Sequence, residues 1–501
     1  MSQQSQFHLL EATIDSIHAA MRAGQLTCRQ LVQLYMNRIA TYDQQGPSLN
    51  AFQTVNAAAL KQADELDAKL GASGPVGPLH GIPVAVKDQI ETDDMPTTYG
   101  SALFRDFDSE RNATAVEKLK AAGAVIVGKT TMGEFAMGFA GTAFGACRNA
   151  YDPTRDASGS SSGSGAAVAA NFATVAVGED TNGSIRGPAA RGSLVGLRPT
   201  VPLVSRFGMM PSSPTRDTLG PIARTVRDTA ILLDVLAGYD PRDPMTAASV
   251  GQIPVTYTSF LVDDALKSIR LGVLREPFGA DTNPEAEDFK QVWAVIDRGV
   301  GELASNGAAI VDPITIPRLK ELLAHTTGSF ETEAAMNGYL AAHPDAPAKT
   351  LQEIVLSSEV LPFRRIRMLE SVGRTTSDLG YLQQMQAREE LRRAVLVLMA
   401  DHGLDALVYP TFAHEPRLIP PDFMTTRSLI QPGNNRTLAP MLAFPAISVP
   451  AGYIVDGLPV GLEFLGRPFT EGLLLKIAYG YEQATHHRHP PATTPALPGE
   501  P

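Results

Sequence analysis

Ser184 closes the run Asp180-Thr181-Asn182-Gly183-Ser184, a turn-forming stretch set just ahead of Ile185-Arg186-Gly187-Pro188. Such a turn presents consecutive backbone N–H groups before a helix, an arrangement that stabilises a developing oxyanion, so Ser184 is a candidate nucleophile for acyl transfer. A serine needs a base. None of the ten histidines recommends itself: His80 leads into a strand and three others lie in the C-terminal tail. A lysine can serve where burial disfavours its ammonium form. Alternation over Ile82 to Lys87 reads as a strand that puts Lys87 on the face of Pro83 and Ala85, aimed into the protein or a cleft. The competing reading is a solvated lysine at a strand end. Asp88 points to the opposite side and need not pair with it. Ser160 offers a second hydroxyl that could carry a proton between base and nucleophile.

Ser160 belongs to Ser158-Gly159-Ser160-Ser161-Ser162-Gly163-Ser164-Gly165, which cannot build a core yet lies between apolar runs that can. A flexible linker has this composition, but no domain boundary flanks it, so its backbone is expected in special turns. Gly159 to Gly163 also fits a nucleophile elbow centred on Ser161, with His80-Gly81 resembling an oxyanion dipeptide; that would make a His-dependent serine esterase. An elbow must follow a strand, and Asp152 to Ala157 carries a proline and three charges. Gly123 to Thr130 matches the phosphate-loop spacing but fills it with the strand formers Ala124 to Val127, after a helix, so it is not a phosphate cradle.

The elements that must hold these residues alternate between helix and strand. Helices are expected after Thr13, after Thr27 with Gln30 as a capping box, and over Leu60 to Leu70; Thr114 and Glu117 have the spacing of another box. A helix, a glycine and a strand recur around Gly123, Gly307 and Gly403, an architectural habit of a helix feeding a sheet. Further strands are read at Thr174 to Val177, Val195 to Pro199, Ile269 to Leu274, Phe444 to Pro450 and Leu458 to Leu465, with helices after Thr225, over Pro284 to Leu303, Leu391 to Met399 and Glu471 to Ala484. Residues 241–268 and 317–390 are less patterned and are expected to supply specificity loops and a helical lid.

The chain has 501 residues, 44% hydrophobic and 19% charged, enough for a large soluble core. A formal net charge of −11 argues against general affinity for nucleic acid or anionic lipid. Cys28 and Cys147 are too few for a disulfide framework and lack ligand spacing, so a reducing compartment is expected. Met1 to His8 has neither a cationic region nor an apolar one, and no apolar run spans a bilayer. The expectation is a cytoplasmic protein, without membrane or nucleic-acid partner.

The runs Gly81 to Asp88, Gly159 to Ala169 and Asp180 to Ala190 resemble the amidase signature family. The resemblance is close from about Gly77 to Gly238. It returns from Asn434 to Thr485 through Pro445-Ala446-Ile447-Ser448-Val449-Pro450 and Gly457-Leu458-Pro459-Val460-Gly461. It implies an α/β fold: a single large domain with a central mixed β-sheet covered by helices on both faces, spanning 1–486. Within it, 1–72 would be an N-terminal helical region, 78–238 the catalytic core, 239–430 the variable pocket and lid, and 434–485 a C-terminal sheet and helix. Residues 487–501 would be a loose tail.

The resemblance further implies a Ser–cis-Ser–Lys triad of Ser184, Ser160 and Lys87, with the N–H groups of Thr181, Asn182, Gly183 and Ser184 as oxyanion hole. Met137, Gly138, Ser161 and Arg186 are expected at the substrate. Neutral Lys87 would draw a proton from Ser160, which draws one from Ser184; an acyl-enzyme forms and water releases the acid, with no cofactor and no metal. The implied substrate is a small amide, ester or carbamate, and the apolar Phe135, Met137, Phe139, Phe207, Met209 and Met210 favour a neutral, hydrophobic one. The protein would be a monomer or homodimer. The same signature also occurs in the glutaminase subunit of tRNA-dependent amidotransferases. Three positions depart from the family pattern: Asn182 replaces a usual glycine, in a turn where asparagine tolerates left-handed angles; Glu179 replaces a usual threonine; Arg191 replaces a usual aromatic residue.

Overall fold

The computed structural model describes residues 6–427 and 431–501. Its strands are β1 (Phe52–Val55), β2 (Pro83–Lys87), β3 (Val125–Thr130), β4 (Ala140–Gly141), β5 (Gly145–Ala146), β6 (Val175–Glu179), β7 (Val195–Arg198), β8 (Leu219–Ala223), β9 (Arg270–Leu274), β10 (Ala309–Ile314), β11 (Ala406–Pro410), β12 (Ala446–Tyr453) and β13 (Pro459–Leu465). Eleven of them form one sheet in the order β1-β3-β2-β6-β8-β7-β12-β13-β11-β9-β10, while β4 and β5 pair as a small ribbon. The sheet is mixed. β2 runs parallel to β3 and β6, β9 to β10 and β11, and the central pairs from β6 to β13 are antiparallel. This is the expected single α/β domain, with helices packed along the sheet.

Parallel strands inside such a sheet are covered on both faces, which is why β2, β3 and β6 are buried at every position. The solvated reading of Lys87 therefore falls, because β2 has no wet face. Thr13 with Ser16, and Thr27 with Gln30, form reciprocal capping boxes that start the first two helices, Ile14–Arg22 and Cys28–Tyr42. Thr114 does not cap. It is the first residue of the helix Thr114–Ala121, and its hydroxyl donates to Asp240 instead. At the recurrent helix–strand junctions Gly123, Gly307 and Gly403 all have positive φ (90°, 103° and 60°), the left-handed exit a glycine provides most easily.

Residues 317–390 hold the helices Leu319–Thr326, Thr332–Ala341, Leu351–Leu356 and Pro362–Leu369. Apolar residues of the last three pack with Tyr99, Phe104, Phe107 and Phe135 in a cluster separate from the main core. The Leu391 to Met399 pattern is the inner part of a longer helix, Leu379–Asp401. The tail departs from expectation. Residues 486–501 lack helix and strand, yet Arg38 donates to the carbonyls of Thr494 and Pro495 and pairs with Glu500 at 2.8 Å, while Leu9 N–H donates to the Pro501 carbonyl. Among the described residues no helix is long and apolar enough to cross a membrane.

Candidate active site

The site stands at the carboxyl ends of β2 and β6. These strands are parallel neighbours with Val86 opposite Val177, so Lys87 ends β2 within one residue of Glu179 at the end of β6. Ser160 precedes the helix Ser162–Ala169, whose glycines, alanines and serines let it lie close against β2, β3 and β6. Ser164 Oγ and Thr130 Oγ1 hydrogen-bond at 2.8 Å across that contact. The helix is wholly buried, so the Gly/Ser run is packed structure rather than a linker.

Lys87 Nζ lies 2.8 Å from Ser160 Oγ, 2.8 Å from Glu179 Oε2 and 3.3 Å from the Glu179 carbonyl oxygen. The Lys87 and Glu179 side chains have no exposed surface. Burial pushes the Lys87 ammonium below its usual range, opposed mainly by the Glu179 charge. The same burial pushes the Glu179 carboxyl up. The Gly159–Ser160 peptide is cis. Ser184 is 7% exposed, and its hydroxyl has no hydrogen-bond partner among the described residues.

Ser184 is carried by a turn that Asp180 grips from within. Asp180 Oδ1 accepts from Gly183 N–H at 2.7 Å and Oδ2 from Ile185 N–H at 3.2 Å, with Arg186 and Arg198 paired to the same carboxylate. Two guanidiniums and two N–H donors outweigh burial, the largest single influence on this group, and hold Asp180 well below the usual carboxylate range. Of the four N–H groups expected to hold an oxyanion, Gly183's is thus already engaged. Those of Thr181, Asn182 and Ser184 have no partner among the described residues. The left-handed residue is Gly183, at φ 95°, and not Asn182, so the asparagine needs no special tolerance.

A family model described as Amidase matches residues 30–475. The chain belongs to the amidase signature family. It is a hydrolase acting on amide carbon–nitrogen bonds. It is 36% identical over 487 residues to a glutamyl-tRNA(Gln) amidotransferase subunit of Symbiobacterium thermophilum, covering 94% of this chain and 96% of that relative. Among solved structures, native peptide amidase from Stenotrophomonas maltophilia superposes with a TM-score of 0.84 at 35% identity, covering 97% of this chain and 99% of that one. The corresponding amidotransferase subunit of Thermotoga maritima superposes with a TM-score of 0.71 at 28% identity, covering 95% of each chain.

Two of the residues expected at the substrate of this amidase are placed elsewhere. Arg186 is fully buried, its donors taken by Asp180, Glu463 and the Arg436 carbonyl. Ser161 is also buried, its hydroxyl donating to the Glu179 carbonyl at 3.1 Å and accepting from Glu179 N–H at 3.2 Å. Both are braces for the site. The elbow reading fails with Ser161, because no strand precedes it and His80 is engaged with His18, Cys28 and Val76. Met137, by contrast, is 37% exposed, and Gly138 follows it at φ 76°. The apolar set divides. Phe135 and Met210 line a cavity with Gln89, Tyr99, Ser212 and Met336, whereas Phe139 packs in another cluster and Phe207 lies under Arg111 and Arg242.

Sequence reading missed Asp217 and Arg436. Asp217 Oδ1 accepts from Thr181 Oγ1 at 2.7 Å, and its Oδ2 accepts from the N–H groups of Ser212 and Ser213 at 2.8 Å each. Arg436 Nη1 donates to the carbonyls of Gly159 at 3.0 Å and Gly183 at 2.9 Å, pinning both serine loops. A residue more than 250 positions away along the chain leaves no local pattern to find. Arg191, the third departure, is buried with its guanidinium 4.0 Å from the Phe412 ring centre and its Nη2 on the His414 carbonyl, so an arginine occupies an aromatic environment there.

Proposed function

We propose that this chain is a free-standing amidohydrolase in which Ser184 is acylated, Ser160 relays protons and Lys87 is the base. The observation that carries the reading is the buried 2.8 Å contact of Lys87 Nζ with Ser160 Oγ, beside a turn with unengaged N–H groups next to Ser184. Attack by Ser184 on a carbonyl sends its proton to Ser160 and that of Ser160 to Lys87. The N–H groups of Thr181, Asn182 and Ser184 hold the oxyanion, and Ser160 returns a proton to the leaving nitrogen. Water repeats the sequence on the acyl-enzyme.

The likeness to the Stenotrophomonas peptide amidase supports the first reading, hydrolysis of a small amide. The identity to a glutamyl-tRNA(Gln) amidotransferase subunit supports a second reading, a glutaminase that works inside a complex with tRNA. Assay of the purified chain on aryl amides and peptide amides, without ATP or partners, separates them: turnover supports the first, inactivity with glutamine hydrolysis only in a complex supports the second. The site itself is tested with a fluorophosphonate probe. Peptide mapping is expected to place the adduct on Ser184, and Ser184→Ala to abolish labelling and turnover. An adduct on Ser161 that survives Lys87→Ala would overturn the mechanism.

A further inference from the structure

We propose that Glu179 is a positioning residue that keeps Lys87 uncharged: it holds a proton on Oε1, donates it to Thr181 Oγ1, and leaves Lys87 a neutral amine facing Ser160. This rests on the reading of Lys87 as base. The protons available around Thr181 decide the charge of Glu179. Thr181 Oγ1 is in hydrogen-bond contact with Glu179 Oε1 and lies 2.7 Å from Asp217 Oδ1, but a hydroxyl has one proton to give. One of the two carboxyls must supply the other. Asp217 accepts through Oδ2 from two backbone N–H groups, which favour its anion, whereas Oε2 of Glu179 meets only Lys87.

The count then closes at the lysine. A neutral amine has two N–H groups, for Glu179 Oε2 and the Glu179 carbonyl, and one lone pair, for the Ser160 hydroxyl. An ammonium would turn a third N–H onto Ser160 and have no lone pair to take that serine's proton. The other charges facing the pair are Asp180, Asp217, Arg198 and Arg216, and Asp180 is already paired with Arg186 and Arg198. Burial acts on both partners toward their neutral forms, lowering Lys87 and raising Glu179. During acylation the Ser184 proton passes to Ser160 and the Ser160 proton to Lys87, so an ammonium forms as the oxyanion forms. The Glu179 proton stays where it is. On collapse the ammonium gives its proton back through Ser160 to the leaving nitrogen.

The test follows fluorophosphonate labelling of Ser184 against pH in the full-length wild type, E179Q, T181V and K87A. Gln reproduces the neutral acid, its amide N–H donating to Thr181 and its oxygen accepting from Lys87. The acid limb of E179Q is therefore expected within about half a pH unit of wild type, while T181V, which removes the acceptor of the Glu179 proton, moves it up by about one unit. If Glu179 is instead an anion paired with an ammonium, E179Q lowers the limb by more than about one unit and T181V also lowers it; either result overturns the proposal. The sign of the T181V shift decides even if E179Q fails to fold. Labelling of K87A at the wild-type rate would fell the triad reading and this proposal together. A silent K87A with a displaced E179Q limb fells this proposal alone.

Discussion

A buried amine works as a base only if it can shed its charge, and the surroundings of Lys87 act in that direction through burial. Lys87→Ala is expected to lower turnover far more than tenfold while the protein stays folded, and a loss of only about 1.4 kcal/mol of transition-state stabilisation would refute the role. Lys87→Arg should not rescue, because a guanidinium remains charged at any working pH. Turnover of the wild type is expected to rise with pH as the ammonium is lost. Its limb should lie below the ordinary lysine range, because the shift is downward and the neutral form is the active one. Initial rates across pH for the three proteins check both statements. At this scale the sequence was informative about residue types and silent about partners. The alternation before Lys87 pointed to a lysine that is buried against Ser160, but Ser161 and Arg186 carry the same kinds of hydroxyl and charge with their hydrogen bonds already spent inside the protein. What separates them is which hydrogen bonds the fold has already used.

The turn from Asp180 to Ile185 owes its shape to one side chain. Asp180 spans it through Gly183 and Ile185 N–H, and two buried arginines converge on the same carboxylate. Asp180→Asn would keep the size and lose the charge, leaving Arg186 with Glu463 and Arg198 with only carbonyl acceptors. Breaking one partner of a buried ion network commonly costs about 3–5 kcal/mol, so a clear fall in the denaturation midpoint is expected. Labelling of Ser184 should fall as well, because the N–H groups on either side of it lose their fixed direction. A variant that melts and labels like wild type would show that Arg436, which holds the Gly183 carbonyl at 2.9 Å, suffices to set the turn. The Gly/Ser helix shows why spacing alone reads such an element poorly. Its residues are chosen for close approach to the four strands β2, β3, β6 and β8, so it lacks the apolar period that marks most helices.

Most of the fold was legible because its strands and caps are local decisions. The recurrent helix–glycine–strand junctions, the Thr27 box and the apolar runs of β9, β12 and β13 each announce themselves within ten residues. The strand order does not, since β8 lies between β6 and β7 and joins distant parts of the chain. The C-terminal tail was misread for the same reason: its prolines, threonines and histidines show no period, yet they close over Arg38. That guanidinium is fully buried and has five hydrogen bonds, three of them to Thr494, Pro495 and Glu500 and two to the carbonyls of Ala170 and Asn171 at the end of the Gly/Ser helix. Removing residues 491–501 would leave a buried cation with two carbonyls and no carboxylate, a defect of the kind that costs about 3–5 kcal/mol. The truncated protein is expected to unfold at a markedly lower temperature or denaturant concentration. Its folded fraction should still label at Ser184, because the deleted residues touch none of Lys87, Ser160 and Ser184. An unchanged midpoint would mean that the tail only rests on the helix Cys28–Tyr42, and that water satisfies Arg38 as well as the chain does.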